Sequence, residues 1–247
     1  KSLSRHVRGY PDQAAALIDA ALAEPGASAD PFQRALVLIY AGFLHLMRRQ
    51  PEVAARHARA ALEIGERDGF RYWTAAGHVI LGSSMAELGE LGPGIEHMRR
   101  GIGLWRAIGA HVLLPSFVAE LGLALARQGA IDDAISQLQD ARAVVHESGE
   151  RLLLAELLRL EGEWMMERDH ARSGHLLDEA LALARSQGAR AFELRTLTTQ
   201  LVYQSRHGTA RDRQVTRRAL AEACAHYDEG RDLPDLRDAR AALADGR

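Results

Sequence analysis

Four glycines stand at one interval. Gly42, Gly82, Gly122 and Gly162 are each 40 residues apart, inside LIYAGFLHLM, HVILGSSMAEL, VAELGLALARQ and RLEGEWMMERD. A second register of small residues, Ala14, Ala54, Gly94, Ala134 and Ser173, keeps that interval to within one residue, and a third, Gly69, Gly109, Gly149 and Gly188, closes each unit. A fixed period of this size marks a repeat architecture, in which each unit buries its apolar face only against its neighbours. Between the glycines apolar residues recur three and four apart, as at Leu138, Ala141 and Val145 or at Leu176, Leu177, Ala180, Leu181 and Ala184. That is helical spacing. No stretch alternates with period two, so no strand is expected.

Each unit therefore predicts two antiparallel helices. Pro11 and Pro51 suit the first turn of a second helix and Pro115 that of a first helix, while the closing glycines suit left-handed C-caps. Residues 1–9 predict the remnant of a first helix and 11–24 its partner, together a partial first repeat over 1–29. Full pairs are predicted over 30–68, 70–108, 111–148 and 150–187, giving four full repeats within 30–189. A degenerate repeat follows over 190–229, where the glycine register falls on Val202, and a capping helix over 234–244 within the closing segment 230–247. The fold expected is one all-α solenoid, a right-handed superhelix of antiparallel helix pairs, rather than two domains. The bare glycines let the helices of a pair lie close, and a large residue at one of them would force the pair apart.

Composition narrows the chemistry. Among 247 residues with net charge −2, Lys1 is the only lysine and the other thirty basic residues are arginine. Without an internal lysine there is no phosphate loop of the G-x-x-x-x-G-K-[ST] kind, no S-x-x-K pair and no internal Schiff base. The arginine and alanine bias is the signature of a GC-rich genome. No apolar run reaches the roughly 20 residues of a bilayer span, and no secretory leader opens the chain. The lone Cys224 excludes an intrachain disulfide and a cysteine zinc cluster, so a reducing cytoplasm is expected. The chain opens at Lys1 without methionine, which suggests a piece of a longer protein.

No catalytic constellation emerges. The eleven histidines form no H-E-x-x-H and no i, i+4 pair, His170 and His175 are expected across a loop, and no metal site is predicted. His78 falls on a slot that packs between helices, and Cys224 on an apolar helix face where an inert thiol is expected. The carboxylate pairs Glu156 with Glu163 and Glu161 with Glu167 lie among Arg151, Arg159 and Arg168, as helix-surface ion pairs do. Arg206, Arg211, Arg213, Arg217 and Arg218 are interrupted by Asp212 and lack interleaved aromatics, which favours a solvated face over nucleic acid. No enzyme activity and no cofactor are predicted.

The units resemble the tetratricopeptide (TPR) pattern W-x₂-L-G-x₂-Y…A-x₃-F: His78, Leu81, Gly82, Met85, Gly94 and Met98; Val118, Leu121, Gly122, Leu125, Ala134 and Leu138; Leu158, Glu161, Gly162, Met165, Ser173 and Leu177. Aliphatics replace the aromatic slots and the unit is longer than the usual repeat, which leaves a HEAT-like array as the alternative. From about Gly9 onward, through GYPDQA, HMRRGIGLWRAIGA, ERLLLAELLRLEGEWM and YDEGRDLPDLRDARAAL, the chain resembles the C-terminal TPR region of bacterial STAND-type ATPase regulators. Many of these carry an adenylate/guanylate cyclase or DNA-binding domain. The resemblance implies a non-catalytic protein-protein interaction or sensor module in signal transduction or transcriptional regulation. It would contact a peptide, a helix or another domain of its parent chain, with no direct nucleic-acid or membrane partner.

It also implies that the first helix of each pair lines a concave groove. The inward positions become Leu36, Ile39, Phe43, Leu46 and Met47, then Val79, Ser83 and Glu87, then Ser116, Leu123 and Arg127. Glu156, Arg159 and Glu163 follow, then Thr199, Tyr203 and Arg206. The groove is expected to be apolar at one end, roomy in the middle and charged at the other. The apolar end is either a binding surface or is covered by upstream chain. The second function expected is a small-molecule receptor, with a closed cavity lined by the third and fourth units.

Overall fold

A computed structural model of the chain describes residues 1–24, 30–149 and 151–245. Residues 25–29 of the partial first repeat, residue 150 at the start of the fifth expected unit and residues 246 and 247 of the closing segment lie outside the described residues. Among the described residues all regular structure is helical. The helices are α1 Ser2–Val7, α2 Pro11–Ala23, α3 Pro31–Met47, α4 Pro51–Asp68, α5 Arg71–Glu87, α6 Leu91–Ala107 and α7 Leu114–Arg127. They continue with α8 Ile131–Ser148, α9 Leu154–Met165, α10 His170–Ser186, α11 Arg190–His207, α12 Ala210–Ala225 and α13 Pro234–Ala244. Gly69, Gly109, Gly149 and Gly188 adopt φ of +73°, +70°, +73° and +62°, the left-handed turn that ends a second helix without a Cβ penalty.

The chain divides into two compact units, one of Lys1–Leu3 with Gln13–Glu150, the other of Ser4–Asp12 with Arg151–Arg247. In the first unit, consecutive helices from α3 to α8 pack in sequence, and the first helices α3, α5 and α7 also touch as a row. The two small-residue registers meet face to face. A Cβ on Gly82 would stand 2.5 Å from the Gly94 carbonyl oxygen, and one on Gly94 would stand 2.6 Å from the Gly82 carbonyl oxygen. The α5 and α6 backbones thus touch directly. Around them Phe32, Phe70, Trp73, Tyr72, Trp105, Phe117 and Phe43 form a chain of ring contacts with centroids 4.1–6.5 Å apart.

The second unit repeats the scheme. Ser173 donates its hydroxyl to the Gly162 carbonyl at 2.7 Å, so the small-residue pair is here also a hydrogen bond. Leu194, Leu197, Leu201, Leu220, Tyr227 and Leu236 form the core in which α13 closes over α11 and α12. Ser4–Asp12 belongs to this unit as well. Gly9, at φ +89°, lies against Arg190 and Tyr227. The Asp12 N–H donates to Glu229 Oε1 at 2.9 Å, and the Gly230 N–H donates to Asp12 Oδ2 at 2.9 Å. Residues 1–9 were expected only as the first helix of a partial repeat with 11–24; most of that segment instead packs on the C-terminal helices.

Candidate functional site

Residues one repeat apart on adjacent first helices touch, as a shared face requires. Arg127 reaches Glu87 at 3.2 Å in the first unit. In the second, Arg159 donates to the Thr199 hydroxyl at 3.1 Å, and Arg206 pairs with Glu167. Each of these pairs is 39 or 40 residues apart. Two more, Arg195 with Glu156 at 3.3 Å and Arg195 with Asp235 at 2.7 Å, keep the same interval. The interval itself identifies Arg195 and Asp235, which sequence reasoning about the face had passed over.

In the first unit much of the expected apolar lining is interior. Ile39, Met47, Ser83 and Ser116 are buried, Val79 is 0% exposed and Phe43 is 4% exposed. The unit's own helices cover it: α3 and α7 both pack on α5, and Phe43 meets Phe117 edge-on at 6.5 Å. Phe43, Leu46 and Met47 are therefore covered by this unit's own helices, not held open as an apolar face. The small residues of the third and fourth units, Ser83 and Ser116, where a metabolite cavity was expected, are likewise buried. Ser83 donates to Glu120, another face residue missed from sequence. Leu36, Glu87 and Leu123 are half-buried, and Arg127 is exposed.

The second unit holds a charged network. Arg159 donates through Nε and Nη2 to both oxygens of Glu156 at 2.9 Å, and through Nη1 to Glu163 at 2.6 Å. Burial pushes the Glu156 carboxyl up, but the guanidiniums of Arg159 and Arg195 outweigh it and hold the group down at about 2. Against the pull of burial, Glu156 and Glu163 raise Arg159, and Asp235 and Glu156 raise Arg195, above their ordinary values. Glu156, Arg159 and Thr199 are thus a fixed interior cluster, with Glu163 at its rim. Beyond it, Glu167 and Arg206 are 66% and 52% exposed at the side chain. Tyr203 does not join the cluster, because its hydroxyl donates to the His170 carbonyl at 3.0 Å.

The remaining sequence candidates resolve locally. Among the described residues no group of three or more histidine, cysteine or acidic side chains is placed to hold a metal ion. His170 and His175 share helix α10 rather than flanking a loop, since Asp169 caps the helix by accepting from the Arg172 N–H at 3.0 Å. Histidines do pair across helices: His45 with His57, His78 with His97 and His170 with His207 have ring centroids 5.5, 5.1 and 5.3 Å apart. These pairs are separated by 12, 19 and 37 residues, so a search along single helices misses them. His78 Nδ1 lies 3.0 Å from His97 Nδ1, while its buried Nε2 has no hydrogen-bond partner. Burial raises the Cys224 thiol. Arg172 bonds the buried Glu161 at 2.6 Å, and Arg217 donates to the Leu243 carbonyl, which takes it out of any basic patch.

No protein-family model and no curated protein matches the sequence. The fold is similar to solved structures. Aspartyl phosphate phosphatase F from Bacillus subtilis aligns with a TM-score of 0.64 at 17% identity, covering 87% of this chain and 59% of that one. The apo form of RapI aligns with a TM-score of 0.64 at 16% identity, covering 93% and 61%. A signal transduction ATPase with numerous domains (STAND) with a tetratricopeptide repeat sensor, from Pyrococcus horikoshii, aligns with a TM-score of 0.63 at 13% identity, covering 99% and 37%. The chain is thus an all-α, TPR-like helical repeat, and it spans about 60% of the length of the first two structures and less of the third.

Proposed function

We propose that this chain is a non-catalytic docking or sensing module of a larger signalling ATPase of cyclase- or transcription-regulator type, working in the cytoplasm. Its partner would be a polypeptide, either a peptide, a helix or another domain of the parent. The observation that carries this reading is a repeat-spaced ion pair in each unit, Glu87 with Arg127 in the first and Glu167, in the turn after α9, with Arg206 in the second, whose outer members face solvent. The likeness to a STAND protein with a TPR sensor supports it at the level of fold. Contact at such pairs shifts an off/on equilibrium only by as much as the partner's affinity differs between the two states.

The test is site-specific photo-crosslinking in the native host. A crosslinking amino acid at Leu123 or Arg127 in the first unit, and separately at Arg206 in the second, should each yield an adduct with another domain of the parent or a partner protein. The same group at the exposed Arg99 and Glu179 on second helices should yield none. Equal adducts from both sets, or none from the first, would refute the docking role.

A further inference from the structure

The second unit carries a cleft of about 430 Å³ where α10, α11 and the start of α12 meet, and nothing in the docking reading uses it. We infer that this cleft seats a basic alkyl group, a guanidinium or ammonium on a flexible stem. The inference stands whether or not the first helices dock a partner.

The floor is aromatic and fixed. Gly174 on α10 has no side chain, and the phenol of Tyr203 fills the vacated place: a Cβ there would lie 2.6 Å from the Tyr203 hydroxyl oxygen. That hydroxyl donates to the His170 carbonyl at 3.0 Å, which anchors the ring against α10. The His207 ring lies 5.4 Å from the Tyr203 ring and stacks on His170 at an interplanar angle of 14°. Of these rings the Tyr203 phenol attracts a cation through its face, and the stacked imidazoles brace it.

The walls are acidic. Asp178 on α10 accepts from the Gln200 side-chain amide at 2.8 Å, and Gln200, only 5% exposed, holds that carboxylate in place from α11. Burial pushes the Asp178 carboxyl up, against the opposing pull of His175 and the Gln200 amide. On the α12 side Asp212 uses Oδ2 to accept from the Thr209 N–H and hydroxyl at 3.1 and 2.6 Å, which leaves Oδ1 open. Among the described residues no arginine or lysine lines the cleft, and its basic side chains are His175 and His207. Two carboxylates from two helices and the Tyr203 ring line one cleft and complement a positive charge on an alkyl stem.

The experiment is fluorescence anisotropy on the 247-residue chain. The probe is a short fluorescein-labelled peptide with one central arginine in a glycine, serine and alanine frame, and the control carries glutamate in its place. The arginine peptide should bind and the glutamate peptide should not. Asp178→Asn should weaken binding roughly tenfold, the loss of one charge-assisted hydrogen bond. Gly174→Ala, which displaces the Tyr203 phenol without altering charge, should weaken it several-fold, with circular dichroism unchanged for both variants. Arg127→Glu combined with Glu167→Arg should leave binding as it is, which separates this site from the docking pairs. Competition by agmatine at the concentration at which the peptide itself binds would assign the seat to a free amine; competition only at tenfold or more would assign it to a polypeptide side chain. Equal binding of the two peptides, no binding at millimolar protein, or unchanged affinity in Asp178→Asn would overturn the inference.

Discussion

Replacing Gly82 by alanine inserts one methyl where two helix backbones touch. The added Cβ would lie 2.5 Å from the Gly94 carbonyl oxygen and 2.9 Å from His97 Cβ and Met98 Cγ, against an ordinary contact of 3.4 Å or more. The nearest obstacle is backbone, so no rotamer change relieves it, and α5 and α6 must separate by about 0.9 Å, the difference between 3.4 and 2.5 Å. Overpacking of this kind costs about 1–3 kcal/mol, and the better helix propensity of alanine returns about 1 kcal/mol. A 2.5 Å clash with backbone belongs at the upper end of that range, so the expected net loss is about 2 kcal/mol, or a Tm lower by about 4–8 °C in a chain of this size. Gly103, on the same helix α6, has nothing within 4 Å of an added Cβ. Gly103→Ala should therefore stabilise by about 0.5–1 kcal/mol. Gly162→Ala meets first the flexible end of Leu177 at 3.0 Å and should be near neutral. Urea unfolding followed by circular dichroism and by Trp73 and Trp105 fluorescence reports the loss, and amide exchange localises it to α5 and α6. A Gly82→Ala protein as stable as the parent, or a Gly103→Ala protein that loses as much, would refute the backbone-contact origin of the repeat interval.

Acid should weaken the two units in different windows. Burial, with Arg100 and His97 beside it, holds His78 down from 6.5 to about 4. Between those values the unfolded chain binds the extra proton, so the first unit loses stability as pH falls from about 6.5 to 4, by no more than about 3 kcal/mol. His45 and His57, lowered by burial, add to the same slope. His78→Gln should flatten it in a Trp164→Phe background, and a flat parent profile would contradict the assignment. In the second unit Glu156, held at about 2, contributes stability that is present above about 4.5 and lost as pH falls toward 2. Glu156→Ala should cost about 3 kcal/mol, the low end for a broken buried pair, because Arg159 and Arg195 each keep a second carboxylate; a loss under about 1 kcal/mol by urea titration would show the network to be solvated. Gly230→Ala, at φ +67° and against the Pro11 ring, should release Ser4–Asp12. Faster amide exchange at Asp12 and Gly230 is the expected sign, and unchanged exchange would mean the segment is not held there.

The repeat interval is legible in the sequence because the contact that creates it lies between backbones. Gly82 and Gly94 must lack side chains for their carbonyls to approach, and a missing side chain can be read directly from a chain. The C-caps are legible for a similar reason, since Gly69, Gly109, Gly149 and Gly188 occupy a φ that other residues resist. The burial of Val79 and Phe43 is not legible, because it depends on side chains from successive repeats meeting, as Phe43 meets Phe117 74 positions on. Nor is the bond between Asp12 and Glu229, which joins residues 217 apart with no periodicity behind it. Asp178, Gln200 and Tyr203 become a cleft only once Gly174 admits the phenol, a relation that crosses two repeats.

The charged face of the second unit binds itself first, and this sets what a partner can use. An exposed pair such as Glu167 with Arg206 is worth well under about 1 kcal/mol, so a docking carboxylate or guanidinium can displace it at little cost. The cluster of Glu156, Arg159 and Arg195 cannot be opened that way, because each guanidinium would be left in the interior short of a carboxylate acceptor. On the docking reading proposed above, recognition on this face would fall to its outer members, while the buried cluster ties α9, α11 and α13 together. Charge reversal at Arg206 should then change partner choice without changing the melting temperature, whereas any change at Arg159 should lower both together. A variant at Arg159 that folds as stably as the parent and loses only its partner would invert that division of roles.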